Sequence, residues 1–235
     1  MFATIGLLGG LNMKKCFNCM NDLSASEEKC PACGTTYNKT PKAEYHLPPE
    51  TILANRYILG YAVKETEVFI AYMAWDKEEN KKVLINEYFP AFLSERTEEL
   101  CVEPENKKTS HIFMRGLAAF KDECIDLKDM PNVDVIGGFE ENNTYYCVRE
   151  IVDGIMVKNL IYNDLKISDD YARRVLILIL RSLNKIQKKG IIHGNITPES
   201  LYISKKDTSI ILTDFSFSGY LSQYLETDCN NGYSP

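Results

Sequence analysis

The sequence carries no surplus of positive charge. Its 27 Lys and Arg are outnumbered by 33 Asp and Glu, a formal net charge of -6. That balance argues against general affinity for nucleic acid or an anionic membrane, since either needs a basic face. Long apolar runs are also missing: the longest near a helix, residues 175–180, is too short to cross a bilayer and has Arg173, Arg174 and Arg181 beside it. No secretory signal opens the chain either. Residues 1–12 are apolar, but Lys14 and Lys15 follow the apolar part instead of preceding it. Those twelve residues read as an extension ahead of a natural start at Met13. A disulfide framework is absent too: the eight cysteines divide into one tight group of four and the scattered Cys101, Cys124, Cys147 and Cys229. That division suits a reducing cytoplasm and one metal site. What is present, 45% hydrophobic residues in 235, buries a core for one domain plus a small module and excludes a disordered chain.

The tight group is Cys16-x2-Cys19 and Cys30-x2-Cys33-Gly34, two knuckles ten residues apart. Four thiolates on two tight turns can surround one tetrahedral Zn²⁺, with Gly34 relaxing the second turn. Four unrelated thiols, or iron held as in rubredoxin, are the alternatives, although rubredoxins separate their knuckles much more widely. The segment resembles the short zinc ribbons at the amino termini of many bacterial multidomain proteins. So small a module has almost no core, and zinc would supply about 10–16 kcal/mol of its folding energy. Four cysteines leave no open coordination position, so the expected role is structural or partner-binding. Residues 37–51, with Pro41, Pro48 and Pro49 among polar neighbours, read as a linker.

Beyond the linker, the spacing predicts strands over 56–63, 68–75 and 82–88 and a helix over 111–130 with Phe113, Leu117, Phe120, Cys124 and Leu127 inward. A hairpin follows, 133–139 and 144–151 across 140–143, then a short helix near 157–162. Ser168 caps a strong helix with Asp169 and Asp170 in its first turn, Lys188 and Lys189 at its end and Gly190 after it. Ala172, Val175, Leu176, Ile179, Leu183 and Ile186 form its expected buried face. Two strands, 201–204 and 210–213, complete the pattern.

The residues His193-Gly194-Asn195, four residues, Ser200, and then Asp214-Phe215-Ser216 resemble a protein-kinase catalytic loop followed by its Asp-Phe-Gly turn. With NRYILG (55–60), AYMAWD (71–76) and VLINEYFP (83–90), the chain from about residue 47 to 235 resembles the bacterial eukaryotic-like Ser/Thr protein kinases. The resemblance implies an α+β, two-lobed fold: an antiparallel N-lobe sheet with a helix, and a partial helical C-lobe, preceded by the zinc ribbon. The expected division is 1–12 extension, 13–36 ribbon, 37–51 linker and 52–235 kinase-like domain with an incomplete C-lobe. The last residues, Asn231-Gly232-Tyr233-Ser234-Pro235, resemble the end of an activation segment. The helices that complete a C-lobe would come next, so the sequence reads either as a fragment of a longer product or as a naturally truncated C-lobe; a fragment is the expectation, because without those helices the 175–186 helix would be poorly covered.

The departures from the family fall on its chemistry. The three glycines of the phosphate-covering hairpin align with Lys64, Thr66 and Phe69, and a loop without glycine cannot bring its amides to phosphates. The strand-three Lys that pairs with the phosphates aligns with Asn86, and its helix partner with Glu123. The catalytic Asp aligns with Asn195, whose amide is no base, a loss that typically costs about 10²–10⁴-fold. Ser200 stands where the family has a metal-binding Asn, leaving Asp214 as the strong metal ligand. Glu150 marks the hinge, and Arg149 before it either fills the adenine pocket or snorkels to solvent. Lys64 or Lys82 is placed to stand in for the missing Lys, as in kinases with a relocated lysine. The expected function is a cytoplasmic pseudokinase that regulates or scaffolds an unidentified protein partner, with structural zinc and little use of ATP and Mg²⁺. The alternatives are a working Ser/Thr kinase with unusual site residues, and a ribbon that carries the function on a kinase-like scaffold.

Overall fold

The computed structural model describes residues 13–162, 168–217 and 219–224; the 1–12 segment, Cys229 and the 231–235 motif lie outside them. Two short antiparallel strands, β1 (Lys14–Lys15) and β2 (Asp22–Leu23), pair Lys14 with Leu23 and hold the first cysteine knuckle between them. The chain then builds β3 (Ile52–Leu53), β4 (Tyr57–Glu65), β5 (Phe69–Asp76) and β6 (Lys81–Tyr88). A small ribbon of β7 (Ser94–Arg96) and β8 (Val102–Pro104) precedes α1 (Ser110–Lys128). Next come β9 (Val135–Glu141) and β10 (Thr144–Glu150), whose turn residues Asn142 and Asn143 both take left-handed φ values of 51° and 58°. That conformation is what a two-residue hairpin turn requires, and Asn tolerates it.

β3 to β6 with β10 and β9 form a six-stranded antiparallel sheet in the order β3-β4-β5-β6-β10-β9. α1 covers one face. Phe113, Phe120, Cys124 and Leu127 are buried along it as the heptad-like spacing predicts, but Gly116 takes the remaining inward position and Leu117 is only partly covered. Gly116 is needed there because Tyr88 Oη and Leu221 fill the space a side chain would occupy. The opposite face of the sheet is also covered, by the stretch expected to be a linker. Leu47 is fully buried and its amide donates to Tyr72 Oη at 3.0 Å, Tyr45 stacks on Phe89 at 5.6 Å, and Lys42 Nζ donates to the Ala62 carbonyl at 2.8 Å. Side chains with this much apolar surface pack in preference to staying in water, whatever the prolines around them.

The rest of the chain adds β11 (Gly154–Met156), α2 (Val157–Tyr162), α3 (Asp169–Gln187), β12 (Leu201–Ser204), β13 (Ile210–Leu212) and a 3-10 turn at Gly219–Gln223. β11, β12 and β13 form a three-stranded antiparallel sheet. Ser168 caps α3, its hydroxyl accepting from the Tyr171 amide at 3.3 Å. The buried face of α3 corrects the sequence expectation: Ala172 and Leu176 are exposed, and the covered stripe runs through Val175, Leu178, Ile179, Ser182, Leu183 and Ile186. α3 leans on β13 along that one narrow stripe, so the remaining apolar side chains, Ile177 and Leu180 among them, face solvent. The fold is α+β, with a curled antiparallel sheet and one covering helix as the resemblance implies. Among the described residues no helix is long and apolar enough to cross a membrane.

Candidate functional site

Asp214 lies two residues beyond β13, with a left-handed φ of 57°. The main chain is held there because the Thr213 amide donates to the Ser200 carbonyl at 2.9 Å. Two cations converge on its carboxylate. Lys64 Nζ, from the end of β4, lies 3.3 Å from Oδ2, and Arg149 Nη2, from β10, lies 3.0 Å from Oδ1. The same Arg149 nitrogen is 2.6 Å from Asp134 Oδ2, and Arg149 Nε donates to that oxygen at 2.8 Å. The Arg149 and Asp134 side chains are 3% and 2% exposed. Of the two fates open to Arg149 in the sequence, the fold therefore selects the inward one. The register shift beside Arg149 puts an extra residue, Ile136, in β9, while β10 stays in step with β6 and pairs Arg149 with Leu84.

The charges are mutually dependent. Burial resists the ionised form of Asp214, but Arg149 and Lys64 outweigh it and hold the carboxyl below its ordinary range. Burial pushes the Asp134 carboxyl up, with Arg149 opposing. Burial alone would weaken the proton on Arg149, yet the two carboxylates more than reverse this and the guanidinium stays charged. Two anions and two cations thus neutralise one another.

The loop residues pack around this cluster. His193 is buried and stacks on Phe215 with ring centroids 4.3 Å apart, and burial lowers its pKa to about 4, so it is neutral at physiological pH. Asn195 donates its side-chain amide to the Asp214 carbonyl at 3.1 Å and its backbone amide to His193 Nδ1 at 3.3 Å. A carboxylate at position 195 has no proton to give that carbonyl, so the amide suits this arrangement better than the family's Asp would. Ser200 is fully buried and its hydroxyl is used locally, donating to the Thr197 carbonyl and accepting from the Thr197 amide at 3.0 Å each.

Lys64, Asn195 and Asp214 are therefore brought together, and the other aligned positions are not joined to them by any bond described. Asn86 is completely buried on the face of β6 that α1 covers, and neither of its amide atoms has a hydrogen-bond partner. Glu123 has an unpartnered Oε1, and burial, helped by Asp126, raises its carboxyl to about 7. Glu150 pairs with Lys81 at the surface, 3.3 Å apart. Lys82, the other candidate stand-in, donates to Asn21 Oδ1 instead.

Two features had no signal in the sequence reading. Glu87, fully buried on the sheet face opposite α1, accepts a bidentate Arg96 guanidinium (Nη1 at 3.0 Å, Nη2 at 2.5 Å) and the hydroxyls of Tyr72 at 3.1 Å and Tyr146 at 2.9 Å. Its neighbour Tyr88 faces α1, so adjacent residues of β6 carry the polar and aromatic halves of the N-lobe core. Secondly, Phe69, which aligns with the third family glycine, is buried and meets Phe217 edge-on at 5.8 Å. Phe217 in turn lies 4.8 Å from Phe120 of α1 and 6.4 Å from Phe215. A glycine at 69 would leave that aromatic contact unmade.

The second candidate site is the cysteine cluster. The four sulfurs of Cys16, Cys19, Cys30 and Cys33 lie within 4.8 Å of one another, with Cys16–Cys33 and Cys19–Cys30 at 3.6 Å. A tetrahedral ion with sulfur ligands at about 2.3 Å requires sulfurs about 3.8 Å apart, so the donor set fits such a metal. Each knuckle is a closed turn: the Met20 amide donates to the Cys16 carbonyl and the Gly34 amide to the Cys30 carbonyl, both at 2.8 Å. Met20 and Gly34 occupy equivalent left-handed positions, φ 54° and 73°. Cys33 is exposed, and Thr35 beside it holds its thiol down at about 6.

The family described as "Protein kinase domain" matches residues 101–233, more than half of the chain. Curated relatives include the probable serine/threonine-protein kinase PknB of Lactococcus lactis, 26% identical over 59% of this chain and 22% of that protein. Serine/threonine-protein kinase D of Synechocystis is 32% identical over 33% of this chain and 14% of that protein. The chain thus spans less than a quarter of those relatives' length in each match. Among solved structures, the PpkA-294 apo form superposes with a TM-score of 0.61 at 26% identity, covering 77% of this chain and 66% of that one.

Proposed function

Because this chain belongs to the protein kinase family, we propose that it is a catalytically impaired, pseudokinase-like member that regulates or scaffolds a protein partner in the cytoplasm, with structural zinc in its four-cysteine module. One observation carries the reading: Lys64 and Arg149 both sit on Asp214, at 3.3 and 3.0 Å, so the carboxylate that a kinase gives to its metal is already neutralised from within. Asn195 and Asn86 support it, since neither supplies the base or the phosphate-binding cation that transfer from ATP would use. The cysteine geometry supports zinc, which would be held by Cys16, Cys19, Cys30 and Cys33 and would fix the two turns.

The test is a thermal-shift titration of the zinc-saturated chain with ATP, alone and with Mg²⁺ or Mn²⁺. A ligand at 100 times its Kd stabilises the native state by about 2.7 kcal/mol, which moves the melting temperature by several degrees. We expect no shift at millimolar nucleotide; a metal-dependent rise overturns the reading. A second reading, a working Ser/Thr kinase with a relocated lysine, is favoured by the reach of Lys64 into the site. In that case Lys64→Ala abolishes an ATP-dependent shift and substrate phosphorylation together.

A further inference from the structure

The four-cysteine module does not hang free of the sheet. Phe17, inside the first knuckle, gives its carbonyl to the Tyr61 amide at 2.7 Å, a main-chain bond between the knuckle and β4. Gly60 makes the approach possible, because a Cβ there would overlap the Phe17 carbonyl and the end of Met20. Met20 and Phe17 are both buried, and the Phe17 ring lies between Tyr37 at 4.6 Å and Tyr61 at 5.8 Å. At the flanks, Lys15 Nζ stands 3.4 Å over the Trp75 ring of β5, and Lys82 of β6 bonds Asn21 Oδ1.

The register of β4 on β5 explains how this contact bears on the ion cluster at Asp214. Leu59 pairs with Ala74 and Ala62 with Tyr72, so Gly60 and Tyr61 stand opposite Met73 alone; a second irregularity falls between Ala62 and Lys64, which pairs with Ala71. The first bulge frees the Tyr61 amide for the Phe17 carbonyl. The second turns the strand just before Lys64, whose ammonium then meets Asp214. Bulges bend a strand and increase its twist, so two so close together set where the end of β4 points.

We propose that the four-cysteine module is a metal-set clamp on the N-terminal sheet: metal in the cluster fixes the Cys16–Met20 turn, and that turn holds β4 in the doubly bulged form that delivers Lys64 to Asp214. The inference rests on metal binding by the cluster but adds a consequence for a site elsewhere in the fold. The metal's role is to close the turn, and the residues that transmit it are Phe17, Met20, Gly60 and Tyr61.

Hydrogen–deuterium exchange of the full chain, zinc-loaded and chelated, tests it, with zinc stoichiometry measured in parallel by elemental mass spectrometry. On chelation we expect exchange across residues 57–65 to quicken about tenfold or more, with residues 201–212 changing far less, as for a local opening. Gly60→Ala keeps all four cysteines, so it should keep one zinc per chain yet show the fast exchange over 57–65 even when loaded. If zinc binds and its removal leaves 57–65 as protected as before, the clamp is refuted while the metal site stands. If the chain takes up no zinc, both fail. Wild-type protection in zinc-loaded Gly60→Ala also refutes it.

Discussion

Replacing Arg149 by Met removes the guanidinium at the centre of the ion cluster while keeping an unbranched apolar stem of similar reach. Each contact, 2.6 Å to Asp134 and 3.0 Å to Asp214, carries an attraction of about 6 kcal/mol at an effective dielectric near 20. Most of that is offset by the desolvation of a side chain only 3% exposed. What remains is the penalty for stranding Asp134, itself 2% exposed, and breaking such a pair from one side costs about 3–5 kcal/mol. Urea denaturation at pH 7.5 measures it as a fall in midpoint at unchanged slope. The stranded Asp134 escapes by taking a proton, so the loss should shrink as pH falls toward 5. The double variant Arg149→Met/Asp134→Asn removes both charges and should regain all but about 1 kcal/mol. A cost below about 1 kcal/mol for Arg149→Met alone would mean that the side chain behaves as a surface cation, and the account of Asp214 as neutralised from within would be wrong.

Three further outcomes follow from buried groups and caps. Glu123 has a folded pKa of about 7, above its unfolded value, so its contribution is present at low pH and lost as pH rises from about 4.5 through 7, up to about 3 kcal/mol. Glu123→Gln should match wild type near pH 4.5 and exceed it at pH 8; parallel stability curves would refute this. His193, with a lowered pKa of about 4, acts in the opposite sense, its contribution present above its unfolded value near 6.5 and lost as pH falls toward 4, which is why the comparison is made between variant and wild type at each pH. Asn86→Leu removes two unpartnered buried amide atoms at similar volume and should raise the free energy of urea unfolding by about 1–3 kcal/mol, whereas a loss would show that Asn86 has a partner in solution. Ser168→Ala removes the α3 cap and should lower stability by about 1 kcal/mol in the same assay.

Much of the local architecture was legible in the chain because it depends on neighbours a few residues apart. The strands β4, β5 and β6 announce themselves by aromatic and β-branched runs, and the β9–β10 turn by two adjacent asparagines. α3 shows its cap and both ends in the sequence. Its buried face departs from the periodic expectation at Ala172 and Leu176 because periodicity gives a wide apolar arc, and the side of that arc that is covered depends on where β13 lies. The stretch 37–51 looked like a linker by its prolines, yet Leu47 and Tyr45 are placed by Tyr72 and Phe89, 25 or more residues further on.

The same division runs through the candidate sites. The sequence by itself determined the cysteine cluster, because two ligands on one tight turn are set by spacing and two such turns need only meet. It also placed Lys64, Asn86, Asn195 and Ser200 at positions where the kinase resemblance expects Gly, Lys, Asp and Asn. It could not decide what the replacements do. Arg149 becomes the buried centre of an ion cluster because Asp134, 15 residues away, and Asp214, 65 away, reach the same nitrogen. Lys64 joins them because β4 is bulged, and Gly60 lies against Phe17 because the knuckle docks there. Charge pairing and close packing are decided by distances across the fold, and those only the tertiary structure supplies.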